Sequence, residues 1–236
     1  AVMPGTAWPG RWVIAGGHRD AWGPGAADNV SGVSTILEAG RAIGDAAAAG
    51  FRPKRTIVLA TWDGEEWGLV GSMEYVEQMA DTLREKAVAY LNLDVSANGR
   101  NFHAAGTASL WAFIRDLAAS ARQPGDSVSV YEAWRRNTRP TDSASVPIGD
   151  LGGGSDFAGF YNVLGIPSFD FGFGGRYGVY HSAYDSFNWM ERFGDPGYLS
   201  HAAAARMAAI AVTRLANTDL LPIDFAEVGR VVGQMG

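Results

Sequence analysis

The sequence contains no cysteine in its 236 residues. Disulfide bonds and thiolate metal ligands are therefore excluded. Any zinc site in this chain must be built from histidine and carboxylate side chains, because these are the remaining protein ligands that zinc prefers. Only four histidines are present to supply such a site.

Long apolar runs and clusters of positive charge are also missing. No apolar run approaches the roughly 18 residues that suggest a membrane-spanning helix. The formal net charge is −6, and lysine and arginine form no extended cluster. Nucleic acid and anionic membrane surfaces are therefore not expected as partners, since both are recognised by concentrated positive charge.

The composition and the residue patterns predict one α/β domain. Hydrophobic residues make up 47% of the chain and charged residues 19%, which is enough apolar material for a packed core. Strand patterns alternate with amphipathic helix patterns, which predicts three layers: a mostly parallel central sheet flanked by helices. The predicted strands are residues 12–15, 56–61, 88–93 and 166–171. The predicted helices are residues 30–48, 72–86, 109–122, 156–164 and 196–216.

Two further stretches have no clear place in that alternation. Residues 123–154 are rich in proline and glycine, and predict either a long loop over a site or a surface excursion. The segment after Asn217 predicts the start of a new element, as expected at a boundary with another domain.

Acidic and histidine residues directly follow three of the predicted strands. In chain order these are His18 and Asp20, then Asp63, Glu65 and Glu66, then Asp94. Ligands of open α/β sheets bind outside the carboxyl ends of the strands, so these side chains should gather at one edge. So many acids in one place need cations or hydrogen bonds to compensate their charge.

Each of these residues has an ordinary structural explanation when taken alone. A histidine after a strand is more often a hydrogen-bonded core residue, Glu65–Glu66 alone suits a solvated pair, and Asp94 alone suits a turn or cap. Together they suit zinc, which accepts nitrogen and oxygen donors at about 2.0–2.2 Å. Asp28, in the glycine-rich segment GPGAADNVSG, is the candidate carboxylate to bridge two ions about 3.5–4 Å apart.

An ordered series of motifs carries a resemblance to a known family. The motifs are GGHRDAW, AADNVSG, WDGEEWGLVGS, LNLDVS, GGGSDF and YGVYHSAYDSF. In this order they resemble the co-catalytic zinc peptidases that include glutamate carboxypeptidase II, bacterial aminopeptidases and the transferrin receptor. The resemblance runs from about residue 10 to the end of the chain, and the ordered set is specific although each motif alone is weak.

This resemblance implies a site with two zinc ions. His18 and Asp94 would bind one ion, Glu66 and His181 would bind the other, and Asp28 would bridge both. The peptide bond after the bridging aspartate is cis in relatives, so the resemblance also predicts a cis bond between Asp28 and Asn29.

Three other residues receive roles from the same resemblance. Glu65 matches the general base, which takes a proton from the attacking water and passes it to the leaving amine. Tyr180 matches a tyrosine that donates to the developing oxyanion, although packing beside a ligand is the alternative. Asp20 is expected either to orient the imidazole of His18 or to cap the loop that follows it.

The expected substrate is a small peptide, and its side-chain preference is weakly defined. Leu69 and Gly154 match substrate-pocket positions, and Ser155 replaces an asparagine of that pocket. An arginine patch that favours acidic substrates is reduced to Arg176. A glutamate carboxypeptidase-type exopeptidase is favoured, with an aminopeptidase, a deacetylase- or cyclase-type enzyme, or a non-catalytic receptor-like module as alternatives. The presence of all five ligands and the base favours an enzyme.

The resemblance also bears on further ligands, assembly and location. Glu74 and Glu77 match calcium ligands of the eukaryotic carboxypeptidase, but their other partners there come from another domain, so an exposed pair on a helix is the favoured explanation. By this resemblance the sequence is expected to correspond to the catalytic domain, residues 1–236, without the apical insertion and the C-terminal helical domain. That helical domain would carry most of a homodimer contact. A secreted or periplasmic location is favoured by the family.

Overall fold

A central sheet of six strands organises the computed structural model, which describes residues 1–138 and 146–234. In chain order the strands are β1 (Val2–Met3), β2 (Trp8–His18), β3 (Arg55–Trp62), β4 (Ala87–Asn92), β5 (Asn101–Gly106) and β6 (Ser168–Gly174). Their order in the sheet is β1-β3-β2-β4-β6-β5. The four inner strands are parallel, whereas β1 and β5 are antiparallel edge strands. This confirms the prediction of a mostly parallel sheet.

Helices cover both faces of the sheet. They are α1 (Val30–Ala48), α2 (Val70–Gln78), α3 (Ala80–Lys86), α4 (Trp111–Ser120), α5 (Val130–Thr138), α6 (Phe187–Trp189), α7 (Leu199–Asn217) and α8 (Phe225–Gln234). A 3₁₀ turn at Ala108–Leu110 and π-helical turns at Gly159–Val163 and Met190–Gly194 complete the described elements. Among the described residues, no helix combines the length and the apolar character needed to cross a membrane.

Each face of the sheet has its own apolar core, because successive residues of a strand point to opposite faces. Val13 and Leu91 pack with apolar residues of α1, α4, α5 and α7. Ile14 and Tyr90, one position away, pack with α2, α3 and the π-helical turn at Gly159–Val163. The three-layer arrangement is therefore confirmed, and both faces of the parallel strands are shielded from water.

Several predicted elements differ from those of the structure. The predicted helix at residues 72–86 is two helices, since Met79 departs from helical geometry with φ −103° and ψ 12°. The predicted helix at residues 156–164 is mainly a π-helical turn. β5 was not predicted at all, because it is a short edge strand with a mixed polar composition.

The stretch at residues 123–154 is not only loop. It contains α5, whose Val130 and Trp134 are buried one helical turn apart against the sheet. Residues 139–145 of this stretch lie outside the described residues. The segment after Asn217 does begin a new element, α8.

The core on the α4 side of the sheet supports a stability prediction. Phe169 of β6 is fully buried, and its ring meets Phe113 edge-on at a centroid distance of 5.8 Å. Replacing Phe169 with alanine should lower the free energy of unfolding by about 3–5 kcal/mol, because the cavity adds to the lost burial. Phe225→Ala on α8, where the ring is 78% exposed, should change it by less than about 0.5 kcal/mol. Equal losses in denaturant unfolding would contradict this account of the core.

Candidate metal centre

The carboxyl ends of β2, β3 and β4 bring the sequence-predicted ligands to one edge of the sheet. His18 is the last residue of β2, Glu66 lies in the turn after β3, and Asp94 follows the end of β4. Asp28 immediately precedes Asn29, which caps α1, and its peptide bond to Asn29 is cis, as predicted. His181 comes from the loop between β6 and α6 and has a left-handed backbone with φ 53°.

Asp28 lies between the two histidines and directs one carboxylate oxygen to each. Its Oδ1 is 3.2 Å from Nε2 of His18, and its Oδ2 is 3.0 Å from Nε2 of His181. Asp94 approaches the first histidine, with Oδ1 3.1 Å from His18 Nε2. Glu66 approaches the second, with Oε2 3.1 Å from His181 Nε2. The five side chains thus form two groups that share one carboxylate.

The donor atoms of these groups are close enough to hold metal ions. His18, Asp28 and Asp94 form one such group, and Asp28, Glu66 and His181 form another, with donor atoms within 4.8 Å of one another in each. Glu65 also belongs to a group of this kind with His18 and Glu66, and its Oε2 is 3.9 Å from His18 Nε2. The geometry therefore brings the predicted base to the same cluster.

The charge of the cluster also favours a cation. Burial disfavours the charged imidazole of His18, yet Asp28 and Asp94 outweigh it and raise the pKa of His18 to about 11. Burial, reinforced by Asp94, raises the pKa of Glu65 to about 8. Buried Oε1 of Glu66 has no hydrogen-bond partner among the described residues. An excess of buried carboxylates with a free acceptor oxygen is the donor set that a divalent ion satisfies.

Asp20 supports this cluster through two different groups. Its main-chain carbonyl accepts a hydrogen bond from Nδ1 of His18 at 3.0 Å, so that Nε2 is the ring nitrogen that faces the carboxylates and would serve as the metal ligand. Its carboxylate accepts from the backbone N–H groups of Glu65 and Glu66 at 3.1 and 3.2 Å. The carbonyl of Asp20 therefore orients the imidazole, and the carboxylate fixes the turn that carries the predicted base.

Asn29 joins the ends of β2 and β4, a role that the sequence did not reveal. Its amide nitrogen donates to the carbonyls of His18 and Leu93 at 3.0 and 2.9 Å. Its amide oxygen accepts from the backbone N–H groups of Gly32 and Val95. Every polar group of this buried side chain is thus engaged, and the segments carrying His18, Asp28 and Asp94 are held together.

Asp185 holds the backbone of Asp28 through its carboxylate. This buried residue accepts from the N–H groups of Ala27 and Asp28 at 2.9 and 3.0 Å, and from the hydroxyl of Tyr177 at 2.7 Å. Asp185 lies in the same short motif as His181, and that proximity is the signal that could have identified it.

Tyr180 is placed where it can contact a bound molecule. Its ring stacks on His181 with a centroid distance of 3.7 Å, and 55% of the residue remains exposed. Partial burial, with the nearby carboxylates, raises the pKa of Tyr180 to about 12. Its hydroxyl is therefore protonated at neutral pH and is available as a donor.

The residues predicted to line a substrate pocket have different surroundings. Leu69 is half-buried in the left-handed conformation before α2, and Gly154 is exposed. Ser155 is buried, and its hydroxyl donates to Oδ2 of Asp94 at 2.7 Å. Contact of Leu69, Gly154 and Ser155 with substrate stays a prediction.

The acidic pair predicted as a weak calcium candidate lies apart from the cluster. Glu74 and Glu77 are exposed on α2, and neither belongs to a metal-compatible group among the described residues. The other two histidines are also elsewhere: His103 lies on β5, and His201 contacts the buried carboxylate of Asp195 at 2.8 Å.

An α/β domain with a histidine–carboxylate cluster at the carboxyl edge of its sheet has the arrangement of a metallopeptidase. The chain belongs to peptidase family M28, whose family pattern matches residues 1–195.

The relatives of the chain are named for different functions. It is 42% identical over 226 residues to probable glutamate carboxypeptidase LAMP1 of Arabidopsis thaliana, covering 95% of this chain and 32% of that protein. It is 38% identical to aminopeptidase NAALADL1 of Mus musculus, with 96% and 32% covered. It is 33% identical to transferrin receptor protein 2 of Rattus norvegicus, with 98% and 30% covered. The chain thus spans about a third of the length of these relatives.

Solved structures support the fold. A zinc aminopeptidase from Bacillus subtilis matches with a TM-score of 0.66 at 20% identity, covering 94% of this chain and 51% of that one. An aminopeptidase from Aneurinibacillus sp. strain AM-1 matches with a TM-score of 0.65 at 22% identity, with 94% and 48% covered.

Proposed function

We propose that this chain is the catalytic domain of a zinc-dependent exopeptidase that hydrolyses small peptides, with a glutamate carboxypeptidase-type activity favoured. The position of Asp28 carries the proposal, since one oxygen of its carboxylate faces His18 and the other faces His181. That arrangement suits a carboxylate shared by two ions. Membership of the M28 family and the carboxypeptidase and aminopeptidase relatives support the same conclusion.

The ligands divide into two sets around that shared carboxylate. His18 and Asp94 would hold one zinc ion, and Glu66 and His181 the other. When bound, the two ions would lower the pKa of a shared water and polarise the scissile carbonyl. The chain's own residues would supply the proton transfers and the orientation.

Glu65 is the proposed general base. Its backbone N–H is fixed by the carboxylate of Asp20, and its side chain lies at the cluster without the close contact to a histidine that Glu66 makes. It would take a proton from the attacking water and deliver it to the leaving amine. Tyr180, with its protonated and exposed hydroxyl, would donate a hydrogen bond to the oxygen of the scissile carbonyl as negative charge develops there.

The role of Tyr180 can be separated from simple packing. Tyr180→Phe keeps the ring that stacks on His181 but removes the hydroxyl, so kcat should fall by about 10²–10³-fold with the zinc content unchanged. Tyr184→Phe, on a residue that is 76% exposed, is the matched control and should keep its activity. Unchanged kcat in Tyr180→Phe would assign the tyrosine to packing alone.

An aminopeptidase is the second candidate, and an exposed aromatic pair favours it. Trp22 and Trp67 lie with ring centroids 4.9 Å apart, and Trp22 is 6.3 Å from the ring of His181. Arg19, a cation near this edge of the sheet, is already paired with Asp63 at 3.1 Å. Apolar surface beside the cluster suits uncharged side chains better than a strict requirement for glutamate.

One substrate panel separates these candidates and tests the proposal as a whole. Of these two exopeptidases, only a carboxypeptidase can release the C-terminal residue of an N-acylated dipeptide, and only an aminopeptidase can release the aromatic amine of an aminoacyl anilide. The zinc-loaded protein should bind about two ions per chain and cleave one of these classes, and a chelator should abolish the activity until zinc is restored. A protein that holds less than one zinc ion and cleaves neither class would overturn the proposal in favour of a non-catalytic module.

A further inference from the structure

A continuous line of side-chain hydrogen bonds runs from the core of the sheet to Asp94. Trp62 Nε1 donates to the hydroxyl of Tyr90 at 3.0 Å, and that hydroxyl donates to Oδ1 of Asn92 at 3.1 Å. Asn92 Nδ2 donates to the hydroxyl of Ser155 at 2.9 Å. Ser155 in turn donates to Oδ2 of Asp94 at 2.7 Å.

The direction of this line is fixed at both ends. The indole nitrogen of Trp62 can only donate, so the hydroxyl of Tyr90 accepts there and passes its own hydrogen to Asn92. The carboxylate of Asp94 can only accept, so the hydrogen of Ser155 must point to it. Each hydroxyl therefore has one orientation that satisfies both of its neighbours.

Asn92 has no freedom to reverse this order. Its amide nitrogen donates one hydrogen to Ser155 and the other to Oδ2 of Asp170 at 2.9 Å. A flipped amide would turn its nitrogen toward Tyr90 and remove the acceptor of that hydroxyl's hydrogen. Three polar contacts thus fix the amide, and its nitrogen must face Ser155.

The line is also held rigidly by packing. Tyr90 and Asn92 are fully buried, and the ring of Tyr90 stacks on Phe160 with a centroid distance of 4.0 Å and an interplanar angle of 6°. Ser155 is 5% exposed. Buried side chains with satisfied hydrogen bonds have little room to reorient. The packing of the core therefore fixes the side chains along this line as far as Ser155.

We propose that Ser155 is a positioning residue for the metal ligand Asp94, an inference that rests on the proposed zinc-dependent function. Its hydroxyl occupies Oδ2 and so restricts Asp94 to offering Oδ1, the oxygen that lies beside His18. The line through Asn92 and Tyr90 fixes the hydroxyl in turn. Ser155 thereby orients Asp94 for the metal position that it forms with His18. Among the described hydrogen bonds, Ser155 makes no such contact with Glu66 or His181.

Competition between the protein and a chromogenic chelator for zinc tests this assignment by giving a dissociation constant for each ion. In Ser155→Ala, the affinity for one ion should fall by about 10–100-fold, as is typical when a residue that orients a metal ligand is removed. The affinity for the other ion should stay the same. Ser168→Ala is the matched control, since it removes an equally buried hydroxyl that donates only to the carbonyl of Ile166.

Tyr90→Phe provides a second measurement that preserves the stacked ring. It should weaken the same zinc position by less than Ser155→Ala does, because only a distant member of the line is lost. The two substitutions together should cost less than the sum of their separate effects, since they act on Asp94 through one path. Thermal unfolding of the metal-free variants gives the stability losses separately.

The outcomes are distinct. Equal zinc binding by Ser155→Ala and Ser168→Ala, with a wild-type protein that binds zinc, would overturn the positioning role alone. A weaker affinity for both ions to the same degree would show general loosening and would also overturn it. A wild-type protein without zinc affinity would overturn the proposed function, and the positioning role with it.

Discussion

Asp28→Ala should abolish binding of both zinc ions and lower kcat/KM by about 10⁴-fold or more, the order found when a member of a catalytic unit is removed. The reason is that each oxygen of this carboxylate faces a different histidine, at 3.2 and 3.0 Å. Removing it deprives both metal positions of a ligand. It also leaves His18 and His181 without the carboxylate that faces both of them. Metal analysis after dialysis and steady-state kinetics measure the two effects.

Asp63→Ala is the control for that experiment. Asp63 also lies at the carboxyl edge of the sheet, but its side chain is 65% exposed and contacts Arg19. An exposed ion pair contributes little, so zinc content and kinetics should match the wild type. If Asp28→Ala kept two zinc ions, Asp28 could not be the shared ligand.

Glu65→Gln should keep the zinc content and lose turnover by about 10²–10⁴-fold, the usual contribution of a general base. Glutamine preserves the shape of the side chain and leaves the backbone contact with Asp20 intact. It cannot take up the proton of the attacking water. The measurement is kcat together with zinc content and the thermal unfolding midpoint, so that a loss of folding is separated from a loss of chemistry.

Glu77→Gln on α2 makes the same chemical change at an exposed position and should leave kcat unaltered. The zinc content of Glu65→Gln is informative in itself, because Glu65 also lies in a group with His18 and Glu66 that could hold a metal. Loss of zinc would make Glu65 a ligand, and full activity would exclude it as the base.

The central part of the fold was predictable because its sequence signals are local. α1 spans Val30–Ala48, the predicted range, and the four inner strands contain most of the apolar runs assigned to them. The edge strand β5 and helix α5 were not predicted, since neither has a long periodic pattern. Their places depend on packing against β6 and against the buried face of the sheet.

The candidate ligands were recognisable because each lies in a short motif of its own. Apart from Asp20, which lies two residues from His18, the residues that hold them were not recognisable, because their partners are distant in sequence. Asp185 binds the backbone of Asp28 across 157 positions, and Ser155 binds Asp94 across 61. The resemblance matches Ser155 to a substrate-pocket position and does not indicate its hydrogen bond to Asp94. Such contacts form only in the assembled fold, so the sequence near Asp185 or Ser155 does not name the partner.

The most direct test of the two-ion site is a crystal structure of the zinc-loaded protein with anomalous scattering measured at the zinc edge. Two anomalous peaks are expected about 3.5–4 Å apart, on either side of Asp28. His18 and Asp94 should contact one ion, and Glu66 and His181 the other, with Glu65 bound to neither. A single peak, or an ion coordinated by Glu65, would contradict this assignment.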